Sequence, residues 1–475
     1  MSSARLIIDV SMLIRSGMPA TGISRVSYEL SRWAVRNRPG TRLAAVDWVY
    51  DLGKLRELDS GLAREVLEKT TLIDSFLIPD RGRIGKLRIR EHLPVSLHYG
   101  LMALQHPRRA AVMQLQRWQQ RTKLPAAARL MGRLQERMLT DKYRRELTAP
   151  TGERARLVSY REALVGFDPR PGDTLILTGA EWGWTSPSIY EELKSRHGMR
   201  LVWMCYDIIP LLHPEFFQDS LVKNFRDYAH GLFAMADLVL VSAGQIESDL
   251  INYCRKHKLR IPPTRVISYG ANLTQLPAGA PRPLPRGLKP GQYAVFVSTI
   301  EPRKGHRMLL SVWKRLLAEG VPQAADFSMV FVGRPGWMVD DLVSEIKALD
   351  GAANRFHMLS GVGDEELDSL YRNAGFCLYP SVYEGYGLPV VESFGYGKAV
   401  IASNGGALKE VAGEFSPCID PRDEEAWYAI MKRWIQNPDD RLPYEKAIRE
   451  RYRHPTWDEA ARGFFKTVED AMAQT

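Results

Sequence analysis

The 475 residues are too many for one hydrophobic core, and at about 100–200 residues per domain they point to two or three. With 45% hydrophobic and 25% charged residues, the composition excludes wholesale disorder, collagen-like repeats and coiled coil. The net charge of +10 is gathered in one place: between Arg81 and Glu146, sixteen Lys or Arg face four acids, and the rest of the chain is close to neutral.

The N-terminus does not read as a signal peptide, because Asp9 and Arg15 interrupt an apolar run that is too short. No window approaches the roughly 18 apolar residues of a membrane span. Residues 4–10 are expected to form a strand, and a Thr21-Gly22 turn leads into a helix over 24–36. The basic segment, about 81–147, reads as a helical insertion with patterns over 108–120 and 126–147. In the first, Val112, Leu115 and Trp118 lie near one face; in the second, Leu130, Leu134 and Met138 share a face, with Arg129, Arg133 and Arg137 beside them. Such helices either lie on an anionic membrane or pack their apolar faces on the domain and leave the bases solvated. Nucleic acid is not an expected partner, since arginine clusters alone are weak evidence and no binding motif accompanies them.

Residues 173–178, 200–205 and 238–242 are apolar runs of buried-strand type. Trp182 and Trp184 follow the first of them; packing at a core or rim is their plainer reading, and stacking on an acceptor sugar the other. Five prolines in 276–290 bar a helix or an inner strand, so 277–292 is expected to link a domain of residues 1–276 to one of 293–455. In that second part, strands at 293–299, 327–333, 355–359, 375–379 and 399–402 alternate with helices, among them 339–349 and 364–372. This alternation predicts a parallel sheet covered on both faces, and 456–475 reads as a C-terminal helix returning towards the first domain. The expected class is therefore α/β, with two Rossmann-like, doubly wound domains facing a central cleft. Cys205, Cys254, Cys377 and Cys418 are widely spaced and show no metal-ligand pattern, which suits a reducing compartment; Cys205 and Cys377 read as inert core thiols.

In such sheets ligands bind beyond the carboxyl ends of the strands. After the strand at 375–379 comes Pro-Ser-Val-Tyr-Glu384-Gly-Tyr-Gly387-Leu-Pro389-Val-Val-Glu392. Gly385 and Gly387 let the backbone approach a ligand, and Pro389 suits the first turn of a helix whose free N–H groups attract an anion. Glu384 lies in the loop and Glu392 about one turn into the helix, where both can grip sugar hydroxyls. After the strand at 293–299 comes Glu301-Pro302-Arg303-Lys304-Gly305, with two cations where a solvated helix start would prefer acids, which favours an anion such as a diphosphate.

Four ordered stretches, EPRKG, FVG at 331–333, LSGVGDEELDSLYRNA and SVYEGYGLPVVESFGYGKAVIAS, resemble the donor-binding half of retaining GT-B glycosyltransferases of the GT4 type, glycosyl transferases group 1. The carboxylate pair matches that family's E-x7-E signature. In the first half, Tyr206-Asp207-Ile-Ile-Pro210 with Pro214-Glu215 resembles the family's HD-x-x-P…P-E loop, with Tyr206 where the family usually has His. The stretches at 240–243 and 266–272 resemble two later landmarks, and residues 19–25 the glycine loop after the first strand. The resemblance implies that Arg303 and Lys304 hold the donor diphosphate, although Ser298 and Thr299 stand where the family often has a Gly-Arg pair. It implies that Glu384, with the backbone of Gly385, Tyr386, Gly387 and Leu388, binds the transferred sugar and phosphate. Glu392 would hold the ribose, Val362 would lie near the base, and Gly22 would approach the diphosphate from the other domain. Asp207 completes the expected catalytic set, with Tyr206 and Trp182 on the acceptor side; His213 reads as structural.

The expectation is thus a metal-independent, cofactor-free hexosyltransferase taking a nucleotide diphosphosugar, with mannose favoured because the EPRKG loop resembles those of mannosyl- and rhamnosyltransferases. Its acceptor would be lipid-linked or a saccharide, in surface polysaccharide or O-antigen biosynthesis, and its place cytoplasmic, peripheral on the membrane's inner face if the basic insertion docks there. A sugar-nucleotide epimerase on the same scaffold and a catalytically silent partner are the alternatives.

Overall fold

A computed structural model of the protein describes residues 4–16, 22–47, 54–68, 71–73, 155–183, 185–271, 284–453 and 455–474, together with seven helical positions between 111 and 134. The rest of the basic insertion, Trp184 and residues 272–283 of the proline-rich stretch lie outside the described residues. The chain divides into two compact units: Met1–Met204 with Asp227–Val239, and Cys205–Arg226 with Leu240–Thr475.

In the first unit the strands are β1 (Leu6–Asp9), β2 (Arg42–Val46), β3 (Leu55–Leu58), β4 (Thr71–Ile73), β5 (Arg156–Val158), β6 (Leu164–Val165), β7 (Thr174–Leu177), β8 (Arg200–Cys205) and β9 (Leu238–Val241). They run in the order β9-β8-β7-β1-β2-β3-β6, with β4 and β5 forming a separate pair. β1 is parallel to β2 and β7, and β7 to β8, whereas β3 pairs antiparallel with β2 and β6. β7 is buried along its whole length, as an inner parallel strand requires. The helix Gly22–Asn37 buries Val26, Ser27, Leu30, Ser31 and Ala34, a stripe of helical period. Around Tyr228 an aromatic cluster forms, with Tyr190, Trp203 and Trp182 edge-on at 6.4, 6.2 and 6.5 Å. Packing is thus the observed role of Trp182.

Strands lying wholly in the second unit are the short β10 (Thr264–Val266), β11 (Tyr293–Val297), β12 (Ser328–Val332), β13 (Phe356–Leu359), β14 (Phe376–Tyr379), β15 (Val400–Ser403) and β16 (Cys418–Ile419). The last six form one sheet in the order β13-β12-β11-β14-β15-β16, with every pairing parallel. The order reverses direction between β11 and β14, so the loops leaving these two strands part at the switch point where doubly wound sheets bind ligands. The helices between them form as their apolar spacing predicts: His306–Ala318 buries Leu309, Leu310, Val312, Trp313 and Leu316. Trp313, Trp427 and Trp434 are fully buried in the same core. The final helix, Trp457–Ala473, opens with a Thr456–Glu459 capping box, and Gly270 lies so close to it that a Cβ there would stand 2.5 Å from the Trp457 Cα.

Candidate active site

The switch point carries a cluster of buried charge. After β11 the chain turns through a 3₁₀ segment, Pro302–Lys304, and Gly305 takes the left-handed conformation that starts the next helix. No side chain fits at Gly305, where a Cβ would meet the Pro380 carbonyl oxygen at 2.4 Å and where φ is +80°. This close approach brings the β11 and β14 loops together, and the Val382 amide donates to the Arg303 carbonyl at 2.7 Å. Lys304 Nζ then lies 2.5 Å from Glu384 Oε1, and Arg303 Nη1 2.9 Å from Oε2. Arg303 Nη1 also donates to the Tyr383 carbonyl at 2.8 Å. A solvated helix start would leave both cations in water; instead Lys304 is buried and the Arg303 side chain is 14% exposed.

Asp207 joins this cluster from the segment 205–226 of the same unit. Its Oδ1 accepts from the Ile209 amide at 3.0 Å, which fixes the turn that follows it. Gly385 packs so tightly here that a Cβ would stand 2.5 Å from the Tyr206 carbonyl oxygen and 2.9 Å from the Asp207 Cβ. Ser242, one residue past β9, donates to the Gly385 carbonyl at 2.7 Å. Tyr206 is buried and packs 6.0 Å from Tyr269, which meets Tyr386 edge-on at 4.8 Å. The tyrosine at the position the family usually gives to histidine thus belongs to a cluster of three aromatic rings.

Burial and charge act against each other in the cluster. Burial pushes the Glu384 carboxyl up, but Arg303 and then Lys304 outweigh it and hold the group at about 2. Burial and the neighbouring Arg303 lower Lys304, while Arg303 is raised above its ordinary value because Glu384, Glu301 and Asp207 overcome its desolvation. Asp207 and Glu301 are both pushed up by burial. The site therefore holds two cations against three carboxyls, with Glu384 the most firmly ionised acid.

The neighbouring loop carries the other residues expected to meet a donor. Gly387, at φ +99°, precedes the helix Leu388–Gly395, with Pro389 in its first turn, so the helix's open amide end starts at Leu388. Glu392 lies in that helix, half-buried, and accepts from the Tyr371 hydroxyl at 3.3 Å. Val362 is half-buried against the core. Glu384, Lys304, Arg303, Asp207 and Gly385 are thus brought together; Gly22, exposed at the start of its helix, and Trp182 belong to the other unit. His213 holds Glu215 at 3.2 Å and packs 5.1 Å from Tyr383, a structural role.

Several residues at the site received no role from the sequence. Ser242 and Gly406 are revealed only by packing: a Cβ on Gly406 would stand 2.4 Å from the Glu384 carbonyl oxygen. Tyr383 is held by Asp249, to which its hydroxyl donates. Glu301 had a signal, its place in the loop that carries both cations. Among the described residues, no group of three His, Cys, Asp or Glu side chains comes together as a metal ion would need.

Residues 287–451 match the model of the family described as glycosyl transferases group 1. The chain is 29% identical over 239 residues to O-antigen chain mannosyltransferase B of Escherichia coli, covering 50% of this chain and 62% of that one. It is 27% identical over 255 residues to the serotype-specific mannosyltransferase WbdA of Escherichia coli, covering 51% of this chain and 29% of that one. The chain therefore spans less than two thirds of these relatives. Among solved structures, it is similar to Anabaena Alr3699/HepE in complex with UDP and glucose, with a TM-score of 0.56 and 15% identity, over 98% of this chain and 100% of that one. Two Rossmann-like units, this likeness in fold and the matched segment agree: the protein has a GT-B fold, and its residues 287–451 match the glycosyl transferases group 1 model.

Proposed function

We propose that the protein is a retaining, metal-independent glycosyltransferase that moves a hexose, mannose first among the candidates, from a nucleotide diphosphosugar to a saccharide or lipid-linked acceptor in surface polysaccharide synthesis. The observation that carries this reading is the buried Lys304–Glu384–Arg303 cluster at the switch point of a sheet that lies within the family segment. The mannosyltransferase names of the Escherichia coli relatives support mannose and an O-antigen-type product.

The chemistry suits the residues. When a glycosyl–phosphate bond breaks, negative charge grows on the departing diphosphate, and fixed cations in a site sheltered from water lower that barrier most. Lys304 and Arg303 are such cations, and the open amide end at Leu388 adds a fixed dipole. Glu384, held ionised, faces the positive charge that develops on the sugar ring, and Glu392 holds ribose hydroxyls. Tyr206 lies on the acceptor side of the site. The basic segment 81–147 brings the protein to the anionic inner face of the membrane, where a lipid-linked acceptor is found.

A thermal-shift panel of UDP, GDP, dTDP, ADP and CMP without added metal tests the donor site. A ligand at about 100 times its dissociation constant adds ~2.7 kcal/mol to the native state. One diphosphate is expected to raise Tm selectively, and its mannose ester to be consumed only when an acceptor is present. Glu384→Gln should hold that diphosphate while transfer falls at least about a hundredfold, because an ion-pair partner and the ring-facing charge are both lost. A panel without any shift, or a variant with unchanged turnover, would overturn the reading.

A further inference from the structure

We infer that Glu301 is a positioning residue of the donor-phosphate site, acting through Arg303. This rests on the glycosyltransferase reading above and adds a residue to which that reading gives no role. Glu301 is 7% exposed, and a buried carboxylate is costly unless a cation answers it. The cation in pairing reach is Arg303, whose Nε lies 3.4 Å from Glu301 Oε2. Neither atom has a hydrogen-bond partner among the described residues, so the contact is one of charge rather than a formed hydrogen bond. The Glu301 side chain is also fixed from behind. The Gly336 amide donates to the Ile300 carbonyl at 2.9 Å, and a Cβ on Gly336 would stand 3.0 Å from the Glu301 Cγ.

The guanidinium is therefore spanned. Its Nε edge faces Glu301, while Nη1 reaches Glu384 and the Tyr383 carbonyl. A planar fork held at two points keeps one orientation, which a lysine's single ammonium would not. Nη2 takes no part in these contacts, and in this reading it is the corner that meets a phosphate oxygen. The charges that face Glu301 are Lys304 and Arg303 from its own loop, Glu384 from the loop after β14 and Asp207 from the 205–226 segment. With two further acids near, a third buried carboxylate has no gain in net charge to offer; what it supplies is direction for Arg303.

Isothermal titration of the full chain with GDP and GMP, and with the other diphosphates and their monophosphates if GDP does not bind, tests this. Glu301→Gln is expected to weaken the diphosphate about tenfold and the monophosphate less than twofold, with Glu301→Asp recovering part of the loss. In an Arg303→Ala background the Glu301→Gln change should have no further effect. If Glu301 only repelled the anion, Glu301→Gln would tighten the diphosphate, and that result overturns the inference. An equal loss for both nucleotides, or the full loss persisting without Arg303, does so as well. Gly336→Ala, whose Cβ would press on the Ile300 carbonyl oxygen and the Glu301 stem without altering a charge, should reproduce the selective loss if Glu301→Gln does not fold. A parent that binds no nucleoside diphosphate overturns the functional reading itself, whereas a parent that binds normally beside an indifferent Glu301→Gln overturns this inference alone.

Discussion

Asp9 ends β1 with no exposed surface, and it shows how a single carboxyl can tie stability to pH. Burial, stronger than the opposing hydrogen bonds from Ser11 and Tyr190, pushes it up from 3.8 to about 6. Its Oδ1 accepts from the Ser11 amide at 2.8 Å and its Oδ2 from the Tyr190 hydroxyl at 3.4 Å. Because the folded value lies above the unfolded one, the ionised form favours unfolding. The stability this group contributes is full below about 4 and is lost as pH rises through about 6. Asp9→Asn keeps an acceptor for Ser11 and removes the charge. It is expected to raise Tm by a few degrees at pH 8 and to bring no gain at pH 4.5, as calorimetry at the two pH values would read. Glu384 has the opposite sign: held at about 2, it adds stability above about 4.5 that fades as pH falls towards 2. Cys377, pushed up to about 12 by burial, is the inert core thiol its strand suggests.

At the scale of elements, the loops after β11 and β14 are built by contacts that only glycine permits. Gly385→Ala would drive a Cβ into the Tyr206 carbonyl oxygen and the Asp207 side chain, so the 381–387 loop and the 205–209 turn must part. A displacement of about 1 Å can cost on the order of a hundredfold in rate. Gly385→Ala is therefore expected to lower kcat/KM for transfer about a hundredfold while Tm falls by only a few degrees, measured on the same preparation. The alternation of apolar runs and helical stripes made β11 to β15 and their helices legible from sequence, with ends within two residues of those observed. The EPRKG and E-x7-E stretches likewise marked Lys304, Arg303 and Glu384, because charged residues at strand ends need a reason to be there. The antiparallel β3 and β6 were not legible: strands of four and two residues are too short to show a period, and their pairing is set by neighbours far along the chain. Nor were the parts of Ser242 and Gly406, whose contacts are with backbone atoms more than twenty residues away.

The whole molecule joins two Rossmann-like units to a charge distribution that neither fold requires. The excess of positive charge between Arg81 and Glu146 falls in a segment that lies mostly outside the described residues, where Leu130 and Leu134 are 53% and 43% exposed at helical positions. No described helix is long and apolar enough to cross a membrane. A lysine or arginine near an anionic surface contributes about 1 kcal/mol, an attraction that screening cuts off within about 10 Å at 0.1 M salt. Sedimentation with phosphatidylglycerol vesicles is therefore expected to pellet the protein at low ionic strength and to release it at about 0.5 M salt, with uncharged vesicles leaving it in the supernatant throughout. Replacing Arg129, Arg133 and Arg137 by Gln should shift the release to lower salt without changing the Tm response to nucleoside diphosphate, since the donor cluster lies in the other unit. Protein that stays in the supernatant with anionic vesicles at low salt would place these bases in water alone, and the proposed acceptor would then have to reach the protein without a membrane to concentrate it.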